Sequence, residues 1–107
     1  MSIVEIEVKD LKAILGGGGK LIDVREVDEY TAGHIPSAIN IPLSAISADF
    51  ESFRSEADVY IVCRSGGRSM QACEFLVDRD IVNVVNVAGG TLAWQASGNE
   101  VNLGEQP

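Results

Sequence analysis

The sequence predicts an α/β fold, a mainly parallel sheet with helices on both faces. Short apolar runs of strand length recur along the chain, separated by segments of helical spacing, and this order favours parallel pairing through crossovers. One of these runs, Val59 to Val62, ends on Cys63 and passes through a loop of Arg, Ser and Gly into a helical pattern. The composition, 46% apolar and 22% charged over 107 residues, is that of a globular domain able to bury a core without disulfide staples.

Residues 3–8 mix Ile3, Val4, Ile6 and Val8 with Glu5 and Glu7, which predicts an edge strand. Asp10 is expected to cap a short helix, Leu11 to Leu15, ended by Gly16 to Gly19. That glycine run lacks a following Lys-Ser/Thr in frame, so it reads as a flexible turn and not as a phosphate loop. Further strands are expected near 20–24, 38–40, 59–62 and 84–87, with helices near 26–32, 43–47, 49–54, 68–78 and 90–96. Gly89 and Gly90 allow the turn into the last helix, and Trp94 is expected to pack in the core or against the last strand. Residues 98–107 are polar and contain Gly, so they are expected to fray. With no repeat or linker visible, residues 1–107 read as one domain.

Cys63 is the candidate nucleophile. It lies at the carboxyl end of a buried run, where open α/β sheets place their ligand sites. Gly66 and Gly67 let the loop curl, so that backbone N–H groups point inward at an anion. The helix beginning near Arg68 adds its positive dipole end, and Arg64 and Arg68 add full charges. All of these favour a thiolate over a thiol of ordinary pKa about 8.5. Cys73 falls on the following helix, off the polar stripe of Gln71, Glu74 and Asp78, and is expected to face the sheet as a core residue.

The formal net charge of −8 argues against nucleic acid or an anionic membrane surface as partner. It leaves the arginine-bearing loop as a positive spot on an acidic body. A single His and no paired-ligand spacing predict no metal site, and no cofactor motif is present. Met1 is followed directly by a strand-like segment without a basic start and apolar signal core, which predicts a cytoplasmic protein.

The loop Cys63-Arg64-Ser65-Gly66-Gly67-Arg68-Ser69 resembles the active-site loop of the rhodaneses, the sulfurtransferase family. Leu21-Ile22-Asp23-Val24-Arg25, Glu29-Tyr30 and Gly33 to Leu43 look like that family's amino-terminal signature. Asn86-Val87-Ala88-Gly89-Gly90 with Trp94 looks like its carboxyl-terminal one. The motifs cover most of residues 3–101 in order; Ser37 stands where the family usually has Gly.

The resemblance implies a rhodanese-like fold, a five-stranded, mainly parallel sheet. It also implies sulfur transfer, in which a Cys63 persulfide forms from a small anionic donor such as thiosulfate. Cyanide, a thiol or a protein cysteine would then accept the sulfur. Arg64 and Arg68 would bind the donor's sulfonate, Ser65 and Ser69 would offer hydroxyls, and the N–H groups from Arg64 to Ser69, those of Gly66 and Gly67 included, would stabilise the anion. Asp23 and Arg25 would support the loop, and His34 would be structural. Only four residues separate Cys63 from Arg68, whereas the similar cysteine-dependent phosphatases carry five and usually place His before the nucleophile, where this chain has Val62. Phosphate or arsenate chemistry therefore ranks below sulfur transfer. A protein-to-protein persulfide carrier and a non-catalytic binding module are the other readings.

Overall fold

The computed structural model describes residues 2–107. Five strands, β1 (Val4–Ile6), β2 (Lys20–Asp23), β3 (Ile39–Asn40), β4 (Val59–Val62) and β5 (Val84–Val87), form one sheet in the order β1-β5-β4-β2-β3. Every pairing between them is parallel. The helices are α1 (Val8–Gly16), α2 (Val27–Ala32), α3 (Ile46–Asp49), α4 (Gly67–Val77) and α5 (Gly90–Ala96). This is the five-stranded parallel α/β sheet the motifs implied, with helices on both faces.

The sheet's two faces explain why its strands read as unbroken apolar runs. Neighbouring residues along a strand point to opposite sides. Ile22 and Ile61 join one apolar cluster with Ala72, Cys73 and Leu76 of α4. Leu21 and Val62 join the other, with Leu11 of α1, Tyr30 of α2 and Trp94 of α5. Trp94 is 5% exposed and so packs as expected, while its indole N–H donates to the Glu100 carbonyl at 2.8 Å.

Three expectations need correction. The first strand stops at Ile6, and α1 starts at Val8, three residues before the expected start. Val8 and Leu11 are both buried, and only a helix brings residues three apart onto one face. Asp10 is therefore not the cap. Glu7 holds that position without a side-chain bond, and Asp10 lies in the first turn, where its charge complements the helix dipole. Second, the helices expected near 43–47 and 49–54 are a chain of short turns: a 3-10 turn at Leu43–Ala45, then α3, then a 3-10 turn at Phe50–Phe53.

Third, the segment 98–107, expected to fray, is hydrogen-bonded to the body of the fold. Asn102 and His34 exchange two backbone bonds of 2.9 Å, and the Gly104 N–H donates to the Thr31 carbonyl at 2.9 Å. His34 is fully buried and stacked on Tyr30, with ring centroids 3.8 Å apart. Its Nδ1 lies 2.9 Å from the Tyr30 carbonyl and its Nε2 2.8 Å from the Gln106 carbonyl. Polar composition suggested a solvated tail, but here the polar groups pair with a buried turn.

Candidate active site

β4 is the middle strand of the sheet, so Cys63 follows its carboxyl end at the sheet's centre, the edge at which open α/β sheets bind ligands. Cys63 is 1% exposed, with its sulfur at the floor of the following loop. Gly66 adopts the left-handed conformation (φ 108°, ψ −10°), which only glycine enters without strain. That turn aims the Gly66 N–H at the Cys63 Sγ, 3.1 Å away. Gly67 is the first residue of α4 and has open space around it, so the loop's curl rests on Gly66 alone.

The second donor is Ser69, whose hydroxyl lies 3.3 Å from the same sulfur and is fully buried. Sequence could not separate this role from that of an ordinary first-turn serine. Burial is the largest single influence on the Cys63 thiol and opposes ionisation. The Ser69 hydroxyl and the N–H groups of Ser69, Gly66 and Ser65 outweigh it together and hold the pKa below its ordinary value. The thiolate is thus favoured mainly by hydrogen bonds. Arg68 feels the charge of Cys63 through space, a weaker contribution than those bonds.

Replacing Ser69 by Ala removes one bond to the charged sulfur, a loss of about 1.5–3 kcal/mol from the anion. The midpoint of the pH dependence of iodoacetamide alkylation should rise by about one to two units. An unchanged midpoint would assign the thiolate to the backbone N–H groups alone.

The two arginines of the loop differ in setting. Arg64 is exposed and makes no ion pair among the described residues. Arg68 is engaged with Glu29 of α2 through two parallel bonds, Nη1 to Oε1 at 2.7 Å and Nη2 to Oε2 at 2.8 Å. The guanidinium holds the Glu29 carboxyl far down, at about 2. Sequence placed Glu29 in a motif but did not show this partner, 39 residues away.

Asp23 and Arg25 form a buried pair at the end of β2. Arg25 Nε donates to both carboxylate oxygens at 3.1 Å and Nη2 to Oδ2 at 2.8 Å, while Nη2 also reaches the Gly33 carbonyl at 2.8 Å. Asn40 Nδ2 donates to the Asp23 and Arg25 carbonyls. The pair ties the strand end to the Gly33 turn.

The sequence does not single out Thr91, and it places Asn86 only within a motif, without its contacts. Thr91 grips the loop from the start of α5, its N–H and its hydroxyl both donating to the Cys63 carbonyl at 2.9 and 3.0 Å. Asn86, buried on β5, donates from Nδ2 to Glu5 Oε2 at 2.7 Å and to the Gly66 carbonyl at 3.3 Å. An Asn inside the run Val84-Val85-Asn86-Val87 was the available signal, since a polar residue in a strand buried on both faces needs partners. Cys73 has no such cradle: burial pushes its thiol up to about 12, and it packs in the cluster under α4.

A cysteine at the central strand's end, with N–H and hydroxyl donors on its sulfur, defines a class of α/β proteins built around a cradled thiol. Within that class the chain matches the rhodanese-like domain over residues 7–97, and it belongs to that family. It is 38% identical to a putative sulfurtransferase of Bacillus subtilis, over 89% of this chain and 93% of that one. A second Bacillus subtilis protein, named a putative sulfur carrier protein, is 33% identical over 87% of this chain and 51% of its own length. The crystal structure of a rhodanese-related protein from Thermoplasma volcanium superposes with a TM-score of 0.84 at 31% identity, covering 94% of this chain and 98% of that one. Relatives named as sulfurtransferases place the chain in a sulfur-transfer family.

Proposed function

We propose that the protein transfers sulfane sulfur through a persulfide on Cys63. The observation that carries this reading is the sulfur's cradle, with the Gly66 N–H at 3.1 Å and the Ser69 hydroxyl at 3.3 Å. In the first half-reaction the thiolate attacks the outer sulfur of thiosulfate. The new S–S bond takes the place of the donor's S–S bond, whose electron pair leaves with sulfite, and Cys63 carries an anionic persulfide. In the second half-reaction an acceptor nucleophile attacks the terminal sulfur and the Cys63 thiolate leaves. With cyanide the product is thiocyanate. The cradle suits both halves because it stabilises negative charge on sulfur before and after transfer.

Arg64, Arg68 and the N–H groups from Ser65 to Ser69 form the binding surface for an anionic donor in this reading. Two free, buried cysteines suit a cytoplasm that keeps thiols reduced. No helix among the described residues is long and apolar enough to cross a membrane. Transfer onward to a protein thiol is the second reading, favoured by the relative named as a sulfur carrier.

Intact mass spectrometry after incubation with thiosulfate tests the proposal. The expected result is a gain of one sulfur atom per chain, lost on adding cyanide as thiocyanate appears. No mass gain with thiosulfate, or with a cysteine desulfurase as donor, would overturn it and leave a binding module.

A further inference from the structure

Arg68 of the Cys63 loop is paired with a carboxylate that sulfur transfer from thiosulfate does not call for. Arg68 turns its two-nitrogen edge onto Glu29, at 2.7 and 2.8 Å. That edge is the one a guanidinium uses to hold a sulfonate, a phosphate or another planar pair of oxygens. It is therefore occupied from within. Arg25 is likewise committed to Asp23, which leaves Arg64 as the unpaired guanidinium on the loop.

The pair is not sealed in the core. The Arg68 and Glu29 side chains are 36% and 30% exposed, so an anion arriving from solvent can reach them. An anion that binds beside the retained Arg68–Glu29 pair lies next to the Glu29 carboxylate, and that repulsion grows with the anion's charge, whereas displacing Glu29 costs every anion the same ion pair. Nor does Glu29 depend on Arg68 for its position. It is the third residue of α2, and its Oε1 accepts the Glu26 N–H at 3.3 Å in a capping box. The carboxylate is thus presented at this place by its own helix.

We propose that Glu29 is a specificity-determining residue that acts through Arg68, occupying its oxyanion edge and selecting against doubly charged sulfur donors in favour of donors with one negative charge or none. This inference rests on the sulfur-transfer reading for its substrate class, but not for its electrostatics.

Glu29→Gln removes the charge while keeping an oxygen for the Glu26 N–H and for one Arg68 bond, so the helix cap and the fold are retained. Two donors that deliver sulfur in the same way separate the charge effect from chemistry. Thiosulfate carries two negative charges and releases sulfite; an aromatic thiosulfonate carries one and releases a sulfinate. The Gln variant is expected to lower KM for thiosulfate about three- to tenfold and KM for the thiosulfonate by no more than about twofold, with kcat for both nearly unchanged. An unchanged ratio of the two KM values overturns the inference. If stability falls at the same time, Glu29 is a clasp between α2 and α4.

Binding measured without turnover keeps the two proposals apart. Calorimetric titration of Cys63→Ser protein with thiosulfate, with and without Glu29→Gln, is expected to show binding about three- to tenfold tighter in the double variant. That result would stand even if the wild-type protein formed no persulfide. Equal affinities would sink the role of Glu29 and leave the sulfur-transfer reading intact.

Discussion

Cys63→Ser is expected to abolish persulfide formation and to cut sulfur transfer by at least about a thousandfold, the scale on which removing a covalent nucleophile acts. The oxygen of serine stays protonated near neutral pH and attacks sulfane sulfur poorly, so the donors that the loop provides are left with no anion to stabilise. The fold should survive. Cys63 sits in the cluster beneath α4, but its immediate neighbours are the Gly66 N–H and the Ser69 hydroxyl, both able to bond a serine oxygen. A stability cost of about 1 kcal/mol is the expected limit for exchanging a buried thiol for a partnered hydroxyl. Mass spectrometry with thiosulfate and a urea titration read the two outcomes separately. Retained loading in this variant would move the nucleophile elsewhere, and Cys73 is poorly placed to take over, since burial raises its pKa to about 12.

Much of the fold was legible because a parallel sheet covered on both faces requires continuous apolar strands, and Leu21-Ile22, Ile61-Val62 and Val84-Val85 supply them. The strand-loop-helix around Cys63 was legible for a similar reason: glycine, cysteine and arginine at short spacing carry local meaning. What escaped was set by tertiary placement. The Arg68 partner lies 39 residues away on another helix, and no local pattern joins Glu29 to it. Ser69 could be counted as a helix residue or a thiol donor until the helix's rotation about Cys63 was known. The polar composition of 98–107 predicts a solvated tail, whereas the buried His34 turn gives its backbone groups partners. The Cys63 pKa shows the same limit. The sequence points to the arginine charges, whereas the influences that lower the Cys63 pKa are the hydrogen bonds from Ser69, Gly66 and Ser65.

Gly90→Ala is expected to be the most destabilising single-methyl addition in the molecule. Gly90 sits at φ +60°, and a Cβ added there would lie 2.6 Å from the carbonyl oxygens of both Cys63 and Arg64. A left-handed conformation costs an L-residue about 1–2 kcal/mol, and forcing packed atoms apart commonly costs about 1–3 kcal/mol more. The atoms in the way are backbone, so no side chain can rotate to make room. A loss of about 2–5 kcal/mol is the expected result, read from the urea midpoint. Function should suffer as well, because the methyl group presses on the strand-to-loop junction that carries the nucleophile. Moving that junction disturbs the Thr91 N–H bond to the Cys63 carbonyl and the Leu92 N–H bond to the Arg64 carbonyl, which fix the loop over α5. Persulfide loading should fall at least about tenfold in the fraction that remains folded, since small misplacements of reacting groups cost orders of magnitude. Gly67→Ala is the matched control: the same methyl meets nothing within 4 Å at an ordinary helical position, and stability should hold or rise by about 0.5–1 kcal/mol. Were Gly90→Ala to behave like Gly67→Ala, the close approach of α5 to the Cys63 backbone would be wrong, and with it the account of how the loop is held.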